Sequence, residues 1–471
     1  MSRRKGIGLL GFLAFCVAAF AQEETVMFSH HGGFYDEPFY LSMGCSDFNH
    51  HIRYTTNGNA PTASSTEYLH QLWLSPQLYS HSDIYKVQIS PESLVYVPDS
   101  VIHAIVIRAA VFDDDGQRMG SVATNTYLIR SLGADTYGLA VLSICADSLA
   151  LFDYKTGIMV PGVNQDADNP DGTGNYYQHG QDWEREANVE FYEPSDNSGV
   201  NQRCGLRAHG NRARLYPQKG LKLYSREAYG KKRFKHHFFE TTPINSFKHL
   251  VVKPFSTLWP YSGVQDYVAN RMAINLAFDA PNSRPVRLYL NGEYWGLYYL
   301  QEKMDDHYLE DHYDVSIEQC NIIANWHRNA ESGDSTHFVQ LMDWLEEADL
   351  SMPANYAYLN DIIDIDNYID YLILETFIAN TDWPANNMRC WQEGDGKWRW
   401  LFYDGDAALI DDDFAVFDNA SYMGSLGWPS STRASLLFRR LFENNEFKHK
   451  FANRVEELCA TNLRYENTSP L

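Results

Sequence analysis

Cysteine is sparse in this chain, 7 in 471 residues, and no two of them form a C-x-x-C pair. Structural zinc sites and thioredoxin-type redox centres need that spacing, so neither organises this protein. Positive charge is short as well, with 38 Lys and Arg against 61 Asp and Glu and a formal net charge of −23. Binding to a phosphate backbone needs a net or clustered positive field, so nucleic acid is not an expected partner. Beyond the N-terminus no stretch approaches the roughly 18 consecutive apolar residues of a membrane-spanning helix. The acidic loop at 164–175 lacks the D-x-[DN]-x-[DN]-G ladder of a calcium loop and reads as solvated.

What is present begins with a leader. Arg3, Arg4 and Lys5 precede an apolar run at 9–20, and Ala19-Phe20-Ala21 supplies the small-x-small pattern of a cleavage site. Residues 1–21 therefore read as a signal peptide, with a mature start at Gln22. Phe15, bulky where lipoprotein processing wants a small residue, argues against lipid anchoring at Cys16. The expectation is an exported protein, secreted, periplasmic or at the cell surface, with no membrane span after cleavage. Six cysteines survive the cut (Cys45, Cys145, Cys204, Cys320, Cys390, Cys459), and their pairing is left open. The remaining length suits two or three domains.

Residues 22–134 read as an all-β sandwich: short β-type runs at 39–43, 52–56 and 102–112 alternate with turn signals such as Asn57-Gly58 and Asp115-Gly116. The run Ile52 to Gly58 with Pro61-Thr62, then Ile107-Arg108-Ala109 and Thr124 to Tyr127, resembles the immunoglobulin-like module at the C-terminus of chitobiases. The resemblance implies a spacer or surface-contact module, with a cell surface or a carbohydrate matrix as the open choice of partner, and does not by itself imply sugar binding; its aromatic residues read first as sandwich core.

At 135–137 the style changes, and strands and helices mix from there to the end. Ile362, Ile365, Ile369, Leu372 and Thr376 recur at helical spacing and predict a core-facing helix to about Ala379. Pro384 stops it. Asp382, Asn386 and Asn387 follow, then strands at 388–391 and 398–403 joined by the Gly394-Asp395-Gly396 turn, and the second strand ends in Asp404-Gly405-Asp406. Any one of these acids or amides caps a turn as a matter of course. In combination they match what phosphoryl transfer requires: one Asp orients the attacking hydroxyl, an Asn five positions later binds metal, and an Asp beyond a hairpin holds Mg²⁺ on the phosphates. A pair of glycosidase carboxylates, Asp382 with Asp404 or Asp406, is the competing enzymatic reading.

Upstream, a strand-like 205–209 leads through Arg212 and Arg214 to Lys219 and Lys222, either of which could reach phosphates. A helix at 264–277 carries Asp266. Strands at 285–290 and 294–300 form a hairpin on the Asn291-Gly292 turn, and Glu302 follows at a hinge-like position. Strand with lysine, helix with acid, two strands and hinge is the order of a protein-kinase N-lobe, here without its Gly-rich loop. Trp183 to Ala187, Gly205 to Gly210, Pro217-Gln218-Lys219, Asn291 to Tyr298 with Glu302, Asp382 to Asn387 and Asp404-Gly405-Asp406 resemble the CotH-type (spore coat protein H) atypical kinase family from about Tyr137 to the end.

The resemblance implies a multi-domain chain in which an immunoglobulin-like sandwich precedes an α+β protein-kinase-like domain at 137–471, cut short at its C-terminus relative to the family. It implies ATP with Mg²⁺ or Mn²⁺, and phosphorylation of Ser or Thr on surface or coat proteins. Asp382 would be the catalytic acid, Asn387 and Asp404 the metal ligands, Lys219 or Lys222 the phosphate anchor, with Asp266 and Glu302 on the nucleotide side. Asp406 matches the second acid of the family's W-D-x-D motif, in which Tyr403 here replaces the tryptophan. The alternative is a non-catalytic surface or matrix protein that uses the same fold for binding.

Overall fold

The computed structural model describes residues 24–464 apart from 48, 81, 92–97, 133–137, 256–262, 411–415 and 422–430. The leader at 1–21 and the junction expected at 135–137 lie outside the described residues.

The N-terminal part is β-rich. Its main sheet holds β1 (Gly33–Tyr35), β2 (His51–Thr55), β3 (Thr66–Glu67), β4 (Ile105–Phe112) and β5 (Ala123–Ile129) in the order β1-β5-β4-β2-β3, with only the β1–β5 pair parallel. Two small antiparallel pairs, Met27–Phe28 with Met43–Gly44 and Tyr40–Leu41 with Leu72–Trp73, accompany it. The strand expected at 39–43 is thus two short ones that pair with different partners.

All eight residues of β4 are buried. Alternate side chains of a strand face opposite sides of the sheet, so a strand buried throughout is covered on both faces. Ile105, Ile107, Ala109 and Val111 enter the core of the N-terminal module. On the other side Phe34, Ala104 and Leu128 pack with Val141, Tyr192 and Tyr289 of the following domain.

That domain opens with a closed seven-stranded barrel. Its strands are β6 (Val141–Cys145), β7 (Arg185–Tyr192), β8 (Gly199–His209), β9 (Gly220–Tyr224), β10 (His249–Pro254), β11 (Ser283–Leu290) and β12 (Glu293–Glu302). They pair in the order β6-β7-β8-β9-β10-β12-β11, and a parallel β6–β11 contact closes the ring. The β11–β12 hairpin turns at Asn291 and Gly292, both at positive φ (49° and 85°), as its Asn-Gly sequence dictates.

Two buried carboxylates weld the barrel to the N-terminal module. Glu190 accepts from the Thr126 amide (3.0 Å) and hydroxyl (2.5 Å) and from Tyr192 Oη (2.5 Å). Glu293 accepts from the Ile84 and Tyr85 amides at 3.0 and 3.1 Å.

After β10 comes α1 (Gln265–Met272), and after β12 comes α2 (Asp306–Tyr313), capped by Asp305. A helical region follows, with α3 (Thr336–Glu347), α4 (Pro353–Ile362), α5 (Ile365–Phe377), α6 (Leu436–Leu441) and α7 (Asn445–Ala460) around a sheet of β13 (Cys320–Ala324), β14 (Met388–Glu393) and β15 (Arg399–Phe402). Between α6 and α7 Asn444 leaves helical geometry and its side chain caps the Phe447 amide, which starts a new helix there. The helix expected at 264–277 ends early, and Asn275 beyond it has φ +68°. Among the described residues no helix is long and apolar enough to cross a membrane, and the six cysteines are unpaired.

α5 is the buried centre of this region. Asn367, fully buried, accepts from the Trp400 amide (2.6 Å) and donates to the Trp400 and Ala277 carbonyls (both 3.2 Å). Asp370 accepts from the Ala277 amide (2.9 Å) and forms a two-pronged pair with Arg454 of α7 at 2.6 and 2.7 Å. These two side chains tie α5 to β15, to the segment after α1 and to α7. Asn367→Leu strands three buried backbone groups and is expected to cost about 2–4 kcal/mol in a denaturant titration. A loss under about 0.5 kcal/mol, the range of an ordinary surface substitution, would contradict this role.

Candidate functional site

The outer face of the barrel is set by strand alternation. Leu221, Leu223, Leu250, Val252, Tyr298 and Leu300 fill the interior, so Lys222, Val251, Lys253, Tyr299 and Gln301 face outward. Register puts Arg207 beside Lys222, Lys222 beside Val251, and Lys253 beside Tyr299. α1 and the segment after β15 meet this face.

Lys253 is the point on which they converge. Its ammonium lies 3.1 Å from Asp266 Oδ2, in the first turn of α1, and 2.7 Å from Asp404 Oδ1. The Asp266 carboxylate also accepts from the Gly405 amide at 2.7 Å. Burial pushes the Asp404 carboxyl up, but the charge and hydrogen bond of Lys253 hold it below the ordinary aspartate value. Burial likewise opposes charge on Lys253, yet Asp266, Asp404 and Asp406 around it keep it firmly protonated. Gly405 is required by packing: a Cβ there would lie 2.9 Å from Ala269 Cβ and 2.9 Å from Phe402 Cζ, pushing α1 off the segment it must touch.

The loop at 380–387 approaches from the end of α5. Asn387 donates from Nδ2 to the Asp404 carbonyl at 3.0 Å, and both residues adopt left-handed backbone, φ +55° and +69°. Asn and Asp tolerate that region better than other side chains, and such conformations collect at functional sites. Asp382 Oδ2 accepts from Asn386 Nδ2 at 3.5 Å, and Asn325 Nδ2 in turn donates to Asn386 Oδ1 at 2.8 Å. Trp383, fully buried, donates to Tyr371 Oη at 2.9 Å. Thr381 is tied by its amide and hydroxyl to the Ala407 carbonyl at 3.1 and 3.0 Å, which locks this loop against the Asp404 segment.

Beneath the loop sits Glu375, fully buried. Its Oε2 accepts from Asn380 Nδ2 at 2.9 Å, and Asn380 Oδ1 accepts from the Asp382 amide at 3.2 Å. Burial raises the Glu375 pKa to about 8, so the protonated acid supports the loop.

A cationic group lines the outer face beside Lys253. Burial, then Lys303 and Arg389, pull the Lys222 pKa down to about 7. Burial and the surrounding cations, Lys222 first, keep His209 neutral. Arg389 stacks its guanidinium 4.4 Å from the Tyr403 ring and donates to the Met304 carbonyl and to Glu331 (2.6 Å), linking β14 to the crossing between β12 and α2.

The structure brings Asp266, Asn387, Asp404 and Asp406 together around Lys253, with the Asp382 loop locked alongside, and sets Lys222 on the same outer face. Two expected residues are elsewhere. Lys219 is fully buried, over the Tyr176 ring at 4.2 Å, and donates to the Arg214 and Tyr216 carbonyls, so it ties down a loop and does not face a ligand. The Glu302 carboxylate is taken by the Asn282 amide (2.9 Å), the Asn282 side chain (2.7 Å) and His312 (2.9 Å), away from Lys253.

The family model described as CotH kinase protein matches residues 206–471, more than half of the chain. The chain belongs to this CotH family. A second model, the chitobiase/beta-hexosaminidase C-terminal domain, matches 30–124, the β-rich module. No curated protein matches the chain. The match to the CotH model covers the barrel from β8 onward and the whole helical region, and so includes every residue of the Lys253 cluster.

Lys253 was missed in reading the sequence of this CotH chain, although a signal for it exists. Leu250-Val251-Val252-Lys253 is an apolar strand run closed by a lysine ahead of the helix bearing Asp266, as in the V-A-I-K strand of kinases. Glu375 had none, since an acid within an otherwise apolar helix carries no mark of what lies above it.

Asp404, Asp406 and Asn387 offer hard oxygen donors of the kind Mg²⁺ or Mn²⁺ takes. Among the described residues no three His, Cys, Asp or Glu side chains form a metal cage. A cation here would need further oxygens from an anionic ligand.

Glu375 supplies a pH test. Its folded pKa, about 8, is above the unfolded value near 4.3. Between these values the unfolded chain releases this proton and the folded one keeps it, so stability falls as pH rises from about 4.3 to about 8 and levels off above. Glu375→Gln should flatten that part of the stability–pH curve in calorimetry. Parallel curves for the two proteins would contradict the assignment.

Proposed function

We propose that this CotH-family protein is a phosphotransferase that moves the γ-phosphoryl group of ATP to Ser or Thr hydroxyls of protein substrates, on a kinase-like fold and outside the cytoplasm. The observation that carries the proposal is the Lys253 ion pair with Asp266 of α1 and Asp404 beyond the β14–β15 hairpin, with Asn387 bonded to the Asp404 peptide. A strand lysine held by a helix acid, an Asp with an Asn five residues on, and an Asp after a hairpin are the working parts of phosphoryl transfer in their order along the chain.

Lys253 and Lys222 are suited to phosphate oxygens, the first fixed by two carboxylates and the second poised to gain a proton. Asp404 and Asn387, with Asp406, would hold Mg²⁺ or Mn²⁺, which when bound neutralises charge developing on the phosphates. Asp382 would accept the proton of the substrate hydroxyl as its oxygen bonds to the γ-phosphorus and the bond to the ADP oxygen breaks. Catalysis of this kind consists of positioning and electrostatics, which is what the locked loop provides. The basic, apolar and small-x-small order of the leader supports export.

Incubation of the full mature chain with labelled ATP and Mn²⁺ or Mg²⁺ should give metal-dependent autophosphorylation, lowered by at least about a hundredfold in Asp382→Asn, Asp404→Ala and Lys253→Met. Absence of label together with absence of metal-dependent ATP binding would turn the reading to a non-catalytic binding protein. Lys222 gives a second check. At pH 8 most of it is neutral, and a phosphate placed against it raises its pKa, so ATP binding should take up protons. Calorimetry in two buffers of different ionisation enthalpy measures this uptake, and Lys222→Met should remove it.

A further inference from the structure

A cavity of about 250 Å³ opens between the C-terminal end of α1, the segment that leads into β11, and α2. None of Lys253, Asp382, Asn387, Asp404 and Asp406 lines it. Its walls carry polar groups that the protein itself does not satisfy. Asn270, 3 % exposed and one turn beyond Asp266, has neither its Nδ2 nor its Oδ1 bonded, and Arg271 Nε and Ser283 Oγ are also buried without a partner. Arg271 makes no ion pair among the described residues. Asp279 and His312, which share the wall, are by contrast occupied, Asp279 by Tyr313 Oη at 2.5 Å and His312 by Glu302 at 2.9 Å.

Buried polar groups in folded proteins are nearly always paired, and each unpaired one costs on the order of 1–3 kcal/mol. Several of them around one cavity, beside a guanidinium with no carboxylate, is the pattern of a site missing its ligand. We propose that this cavity is a second binding site, for a small polar molecule carrying a phosphate or carboxylate group. The oxyanion sits on Arg271, and a neighbouring donor and acceptor pair meets the Asn270 amide. A volume of about 250 Å³ suits a metabolite-sized ligand. The proposal is independent of the phosphotransferase reading, because it uses no residue of the Lys253 cluster.

The test uses inorganic phosphate, citrate and tungstate on the full chain. Phosphate and citrate should raise the melting temperature saturably in the wild type and in Lys222→Met, which alters only the outer face of the barrel. Arg271→Gln should weaken that response at least tenfold, and so should Asn270→Leu, which replaces the donor and the acceptor with methyl groups of similar size. Both variants should still unfold in one cooperative transition. In tungstate-soaked crystals the anomalous peak should lie between Arg271 and Asn270 and vanish in Arg271→Gln. An equal response in wild type and Arg271→Gln, no response at all, or tungstate only at Lys222 and Lys253 would each overturn the site.

Discussion

The arrangement rests on one largely buried lysine. Lys253 brings to one point a strand of the barrel, a helix beside it and a segment 151 residues further along the chain. A buried charge is tolerated only when its partners are in place, and removing one leaves the other uncompensated. The triad therefore acts less as a source of stability than as a condition: barrel, α1 and the Asp404 segment must dock together or pay for stranded charge. Gly405 makes the docking possible by letting the chain close on Ala269, and its amide then completes the Asp266 carboxylate. The Asn387 bond to the Asp404 peptide and the Thr381 bonds to Ala407 carry the same constraint on to the Asp382 loop.

What the sequence revealed and what it hid divide on physical grounds. Features set by neighbours in the chain were readable: the Asn291-Gly292 turn, whose residue types demand positive φ, and the Asp382, Asn387 and Asp404 spacing, which spans one loop and one hairpin. The choice of lysine was not. Lys219, Lys222 and Lys253 all stand on or beside short strands, and what separates them is which strand lies against α1. That is decided by the barrel's order, β9-β10-β12, and by the 24 residues between β9 and β10, neither of which leaves a local mark. Glu302 misled for a similar reason. Its place after a strand suggested a hinge, while its carboxylate was already committed to Asn282 and His312. Closure of the barrel through the parallel β6–β11 contact joins segments more than a hundred residues apart, beyond the reach of any periodicity.

Net charge and local charge part company in this molecule. A chain at −23 has no net positive field, yet Arg389 and Lys303 lie close enough to Lys222 to depress it, and these three cations come from separate segments. No run of basic residues announces them. The field that matters to a bound phosphate is the one within a Debye length of about 10 Å or less, and burial makes it stronger than the surface average suggests. A lysine whose proton is half lost near neutral pH becomes fully charged only when an anion is present to balance it.

The N-terminal module bears on this geometry because it is not tethered to the barrel but fused with it. Glu190 and Glu293 are wholly buried in the seam, each bonded to backbone amides of the module, and β4 has no exposed face left. Domains joined by a linker move relative to each other by default, and only a large, well-satisfied interface abolishes that freedom. Burial raises the Glu190 pKa to about 7, and while the acid keeps its proton the seam holds one charge fewer to solvate. Anything the module's outer surface contacts is therefore held at a fixed place relative to the Lys253 face.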